Sequence, residues 1–240
     1  MNLIIDVGNT RVKSAVFNEG KIIHSERFSH ENIVNKVIES VGKFNCTNAI
    51  ISSVSILKKS QISQIKEKIN LIILNSETKI PFNNKYNTPK TLGVDRIALA
   101  AAAVFHYPNK NVLVIDAGTC ITYDFINNKG DYCGGAISPG VSMRYNSLNH
   151  YTDALPLLSP EFKIDLIGKD TNSSIHIGVV IGVINEIDSF VNEYRKKNQD
   201  LTVVLTGGDV NFLNNRLKNS IFANPNFLLE GLNKILTYNL

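Results

Sequence analysis

Three cysteines, Cys46, Cys120 and Cys133, are all that the chain contains, and they form neither a C-x-x-C pair nor a Cys/His cluster with zinc spacing. So sparse and odd a set excludes a disulfide scaffold and fits a reducing compartment. No basic segment, apolar stretch or cleavage site precedes Leu3-Ile4-Ile5-Asp6. No window approaches the roughly 18 apolar residues of a bilayer span. The expectation is a soluble cytoplasmic protein with no membrane partner. Charge of one sign is not concentrated either: 25 Lys+Arg stand against 21 Asp+Glu, a net +4, and the basic residues are scattered. The longest cluster, Arg195-Lys196-Lys197, reads as a solvated helix end, as does the shorter Lys58-Lys59. A nucleic-acid protein would gather its cations on one face, so no nucleic-acid partner is expected. G-x-x-x-x-G-K-[ST] and G-x-G-x-x-G are both missing, which excludes a P-loop and a dinucleotide fingerprint.

The chain does have ordinary globular bulk. Its 240 residues, 43% hydrophobic and 19% charged, allow one large domain or two small ones. Leu3-Ile4-Ile5 runs into Asp6-Val7-Gly8-Asn9-Thr10, Val12–Phe17 returns as a strand, and Glu19-Gly20 turns into a third strand at Lys21–Ser25. Ile33, Val34, Val37, Ile38 and Val41 give residues 31–42 a helical period. Ala49–Ser53 reads as a buried strand, 57–69 as a helix and Leu71–Leu74 as a strand. Near residue 105 the pattern restarts: Val112–Ile115 leads into Asp116-Ala117-Gly118-Thr119, and Ile121–Ile126 returns. Helical stretches follow near 140–150 and 175–196, then the strand Leu201–Leu205 and the loop Thr206-Gly207-Gly208-Asp209. The two aspartates lie 110 residues apart, close to half the chain, which argues for a duplicated α/β unit. The break is expected at Pro108-Asn109-Lys110-Asn111, giving domains 1–107 and 108–240.

A strand that ends in Asp-x-Gly-x-Thr and turns straight into another has a chemical use. Glycine lets backbone N–H groups approach an anion, and Asn9 and Thr10 add donors for phosphate oxygens. The carboxylate can hold Mg²⁺ directly or through water. One such loop alone is most often a tight turn; two at matched positions suit a grip on phosphates from both sides of a cleft. Lys13 is either a phosphate contact or a solvent-facing strand lysine. Thr206–Asp209 either lets an adenine lie on backbone or is a strand-to-helix turn with Asp209 as N-cap. Asp95, at the start of the Ala-rich helix 97–104, is either an N-cap or, with Arg96, an anion site and a base for a substrate hydroxyl. Cys133–Gly140 reads as a glycine-proline loop before a helix, either an anion contact or a connector.

Taken in order, Asp6–Lys13, Tyr86, Gly93-Val94-Asp95-Arg96, Asp116–Thr119, Gly134–Gly140, Gly168-Lys169-Asp170-Thr171 and Thr206–Asp209 resemble the type III pantothenate kinases. Those belong to the acetate and sugar kinase/Hsp70/actin superfamily. The resemblance implies duplicated actin-like (ribonuclease H-like) domains, mixed β-sheets flanked by helices, with a nucleotide cleft between them. It implies ATP-dependent phosphorylation of the pantothenate 4′-hydroxyl, the first step of coenzyme A synthesis. Carried over, Asp6, Val7, Gly8, Asn9, Thr10, Arg11, Val12 and Lys13 form the ATP phosphate loop, with Asp6 assisting Mg²⁺. Asp95 is the general base, and Tyr86, Gly93, Val94, Arg96 and Thr171 line the pantothenate pocket. Asp116 binds K⁺ or NH₄⁺, Thr119 contacts ATP, and the protein is a homodimer with its substrate pocket near the subunit interface. Which of Asp6 and Asp116 stands closer to the metal is left open. Two other readings stay in view: a nucleotide-binding regulator without turnover, and a superfamily kinase for another hydroxylated metabolite.

Overall fold

The structure is a computed structural model that describes residues 1–55, 57–161 and 165–240. Its backbone falls into two units: Met1–Pro108 with Gly130–Cys133 and Asn226–Leu240, and Asn109–Lys129 with Gly134–Pro225. A single cut of the chain does not produce these units, because two later segments return to the first.

Unit 1 begins with strands β1 (Asn2–Val7), β2 (Val12–Asn18) and β3 (Lys21–Phe28). Helix α1 (Ile33–Phe44), β4 (Asn48–Ser53), α2 (Lys59–Lys66), β5 (Asn70–Ile73), the two-residue β6 (Asn83–Asn84) and α3 (Val94–His106) follow. In unit 2 the chain forms β7 (Val112–Ala117), β8 (Cys120–Ile126) and β9 (Asp131–Pro139), the last starting among unit 1 residues. Then come α4 (Val141–His150), α5 (Thr171–His176), α6 (Gly182–Lys197), β10 (Thr202–Thr206), α7 (Val210–Leu213) and β11 (Phe222–Ala223). Helix α8 (Phe227–Tyr238) closes unit 1.

The strand orders show the duplication directly. The first sheet runs β3-β2-β1-β4-β5, and β9-β8-β7-β10-β11 in the second is the same order repeated. β1 pairs antiparallel with β2 and parallel with β4; β7 pairs antiparallel with β8 and parallel with β10. β1 and β7 are central strands, so their side chains are buried on both faces and read as continuous apolar runs. β3 alternates because it is an edge with one wet face. Its hairpin turn has positive φ at both Glu19 and Gly20, the geometry that matches strand twist.

Two expected elements differ. Cys133–Pro139 is strand rather than loop: Gly135 lets β9 lie against the Tyr123 carbonyl, where any Cβ would collide, so the glycines serve close strand packing. The helix expected over 175–196 runs from Thr171 to Lys197, with a π-helical segment at Ile177–Ile181 between α5 and α6. By length and composition this run is apolar enough to cross a membrane, its best window having a mean hydropathy of 1.4, contrary to the reading of the sequence. Half of that window is buried, and Val179, Val180, Val183, Ile187 and Val191 join the core of unit 2, so it is a core helix.

In unit 1, Ala98 to Ala103 of α3 are wholly buried, and α8 packs on this small-residue face. A Cβ at Gly231 of α8 would strike the Ala98 carbonyl. Gly231→Ala is therefore expected to lower stability by about 1–3 kcal/mol, as overpacking does. Urea denaturation is the check, and an unchanged midpoint would show that the helices can part freely.

Candidate active site

Asp6 and Asp116 hold the same place in their units. Each is the next-to-last residue of the central strand, half-buried between apolar neighbours. In register, Asp6 lies between Lys13 and Ser52, and Asp116 between Thr122 and Thr206. Both carboxylates thus sit where a strand pair splits into its turn.

In unit 1 the turn after Asp6 is closed by the Gly8 N–H donating to the Arg11 carbonyl at 3.2 Å. His30 Nε2 lies 2.8 Å from the Gly8 carbonyl, and the Val54 N–H donates to the Val7 carbonyl at 3.1 Å. Asn9, Thr10 and Arg11 are exposed on this held turn, whereas Val7 and Val12 are buried in the strands that carry it. Ser52 Oγ donates to Asp6 Oδ1 at 3.1 Å. Burial pushes the Asp6 carboxyl up to about 6, Lys13 and Ser52 pull against that rise, and the charge of Asp95 adds to it. Lys13 is half-buried, and its charge is among the influences on Asp6.

Helix α3 begins at Val94 with Gly93 as its N-cap residue, so of the two readings open for Asp95 the helix cap does not hold. It lies in the first turn, and its Oδ1 accepts the N–H of Arg96 at 2.8 Å. A Cβ on Gly93 would meet that carboxylate, which would have to shift. Arg96 is buried at 5% exposure, its guanidinium 5.7 Å from the Tyr86 ring centroid and 5.9 Å from that of Tyr132. Cation–aromatic contacts of this kind hold a planar cation in one orientation. Tyr132 is wholly buried and was not singled out in the sequence; the pairing of β6 with the start of β9 brings it beside Tyr86.

In unit 2 three loops converge. The Gly118 N–H donates to the Cys120 carbonyl at 2.9 Å, turning the chain sharply, and Thr119 is exposed at the tip. The Gly140 N–H donates to the Thr119 carbonyl at 3.1 Å, and the Asp209 N–H to the Ala117 carbonyl at 2.9 Å. Asp209 occupies an N-cap position, yet its side chain makes no capping bond, and burial raises its carboxyl. The helix it precedes is only Val210–Leu213. Gly207 has φ +101°, and a Cβ on it would meet both the Ala117 carbonyl and Asp116 Oδ1. Gly207→Ala is expected to lower stability by over about 1 kcal/mol. Thermal melts read the loss, and an unchanged melting temperature would show that loops 116–119 and 206–209 are independent. Thr171 opens α5 in unit 2 and is exposed; Asp170 before it is the N-cap, accepting the Ser173 N–H at 2.8 Å.

Among the described residues no three His, Cys, Asp or Glu side chains cluster as a metal cage.

A family model for type III pantothenate kinase matches residues 2–193. The type III pantothenate kinase of Flavobacterium johnsoniae is 46% identical over 99% of this chain and 98% of its own length. That of Christiangramia forsetii is 47% identical over 100% and 99%. Among solved structures, a Baf family transcriptional activator from Campylobacter jejuni matches with a TM-score of 0.64 and 21% identity, covering 99% of this chain and 98% of that one. A ROK family glucokinase from Streptomyces griseus, solved with glucose and AMPPNP, matches at 0.52 and 10% over 99% of each. These two show the fold alone, an α/β architecture of the actin-like and sugar-kinase kind. With the duplicated strand order, both aspartate loops and Gly93–Arg96 in place, the chain belongs to the type III pantothenate kinases.

Proposed function

We propose that this protein transfers the γ-phosphoryl group of ATP to the 4′-hydroxyl of pantothenate, the first step of coenzyme A synthesis. The observation that carries the reading is the match to the type III pantothenate kinase family over residues 2–193, on a fold that ends both central strands in an aspartate loop, with Asp6 on the first loop and Asp95 in the first turn of α3 of the same unit. Two carboxylates so placed divide the labour of phosphoryl transfer, which is mostly positioning and charge stabilisation.

Residues Asp6 to Lys13 hold the phosphates through the turn amides, the Asn9 and Thr10 side chains and the charges of Arg11 and Lys13. Asp6 holds Mg²⁺, directly or through water; the ion, when bound, offsets the negative charge of the phosphates. Asp95 takes the hydroxyl proton as the oxygen attacks phosphorus in line. Its Oδ1 is engaged by the Arg96 N–H, so Oδ2 is the acceptor. The Arg96 guanidinium, steadied by Tyr86 and Tyr132, pairs with the pantothenate carboxylate beside Gly93 and Val94; Thr171, in unit 2, is assigned to pantothenate by the family resemblance alone. In unit 2, Thr119 contacts ATP and the Asp116 carboxylate holds a monovalent cation, K⁺ or NH₄⁺.

Homodimerisation and a cytoplasmic location belong to the same proposal. Supporting the former, Ile137, Met143, Tyr151, Leu157, Leu166 and Ile167 are all exposed and lie within one stretch of unit 2. Sedimentation is expected to give twice the 26.6 kDa chain mass. The activity is tested by incubating the protein with ATP, Mg²⁺, K⁺ and pantothenate and measuring ADP and phosphopantothenate. Product from glycerol or a hexose with none from pantothenate would overturn the substrate, and ATP binding without turnover would identify a regulator.

A further inference from the structure

One four-membered polar cluster in unit 2 has no part in the reaction as described above. Glu186, on α6, accepts three hydrogen bonds: from Tyr123 of β8 at 2.9 Å, from Ser138 at the end of β9 at 2.5 Å, and from Arg144 Nη2 of α4 at 2.6 Å. Arg144 also donates through Nε to the Pro139 carbonyl at 2.9 Å. Phe190, one turn along α6, stacks on Tyr123 with ring centroids 4.1 Å apart. One carboxylate thus ties together two strands and two helices.

What it holds is the bend Ser138-Pro139-Gly140, and that bend rests on the second aspartate loop. The Gly140 N–H donates to the Thr119 carbonyl, and the approach is so close that a Cβ on Gly140 would strike the carbonyls of both Gly118 and Thr119. A chain of direct contacts therefore runs from Glu186 through Ser138, Arg144 and Pro139 to the backbone of Gly118-Thr119. Burial alone would raise the Glu186 carboxyl, but its three donors and the Arg144 charge hold it below the usual range, so the carboxylate stays ionised. Displacements of an ångström in such a frame change reaction rates by large factors.

We propose that Glu186, with Arg144, is the positioning residue of the Gly118-Thr119 loop and sets the protein's affinity for ATP. The proposal rests on the assignment of Thr119 to ATP. In Glu186→Ala the loop loses its brace: Kd for the β,γ-imido analogue of ATP and KM for ATP are expected to rise about tenfold, and KM for pantothenate to stay within about twofold. Glu186→Gln keeps one accepting oxygen and is expected to recover part of the affinity. Ser138→Ala and Arg144→Met each remove a single donor; they are expected to give smaller rises that do not add to that of Glu186→Ala. They also serve if Glu186→Ala does not fold. Thr119→Ala is measured alongside. If it weakens ATP while the brace variants do not, the positioning role is overturned and the Thr119 assignment stands. If neither weakens ATP, that assignment fails as well. If Glu186→Ala loses both substrates and melting temperature together, with no recovery in Glu186→Gln, the cluster serves folding only and the proposal fails.

Discussion

Asp95→Asn is expected to lower kcat about a thousandfold while leaving the affinity for an ATP analogue within about twofold. A positioned general base contributes typically 10²–10⁴ to a rate, and asparagine cannot take the proton. The substitution is also nearly silent in structure. The amide oxygen can still accept the Arg96 N–H that Asp95 Oδ1 accepts at 2.8 Å, so the first turn of α3 keeps its bond. Gly93, whose missing Cβ makes room for the carboxylate, makes room for the amide equally well. Single-turnover mixing with saturating ATP and pantothenate separates the chemical step from binding. A kcat within about tenfold of wild type would remove Asp95 from the role of base and leave it an orienting residue.

Asp6→Asn is expected to abolish turnover and, unusually, to stabilise the ligand-free protein. Burial raises the Asp6 carboxyl from 3.8 to about 6. Between those two pH values the native state holds a proton that the unfolded chain has released, so stability declines as pH rises through the interval. Above about 6 both states are ionised and the cost is complete, about 1–3 kcal/mol at pH 7. Asparagine keeps the shape, can still accept from Ser52 and removes the titration. Melting temperatures of the two proteins should agree near pH 4 and separate as pH rises, the variant ending about 2–8 °C higher. Meanwhile kcat/KM should fall at least about a hundredfold, since the loop loses the charge proposed to hold Mg²⁺. A variant less stable than wild type at pH 7 would show that the ionised carboxylate supports the fold. The opposite signs of the two effects are the mark of a residue kept for chemistry at a cost to stability.

The duplication was legible because its signal is local. An apolar run, an aspartate, a glycine and a threonine at the end of a strand are fixed by backbone geometry within a few residues, and both copies recur at matched positions of identical strand orders. The family resemblance drew on the same short segments. Features made by distant chain meetings were hidden. Gly134-Gly135 and Pro139 read as loop because glycine and proline usually break strands, yet β9 needs glycine to pass the Tyr123 carbonyl. Tyr132 gave no signal, since only the two-residue pairing with β6 brings it to Tyr86 and Arg96. Glu186 resembled any polar residue of an amphipathic helix until its donors arrived from β8, β9 and α4. Asp95 stayed between cap and base because aspartate so often caps a helix, and only the backbone shows that Gly93 holds the cap position.

Helix α8 has a further consequence, for the order of events on the ribosome. Its buried face, Leu229, Leu232, Ile235 and Leu236, covers β1, β4 and α3, all of which are synthesised before residue 108. At about 5–20 residues per second, α8 emerges roughly 6–24 s after α3. Unit 2 lies between them in the chain and has its own core of strands and helices, so it can mature first while the apolar underside of unit 1 waits uncovered. That interval is when the nascent protein is most open to chaperone capture, and a synonymous change that slows decoding between codons 110 and 225 would lengthen it without altering a single residue.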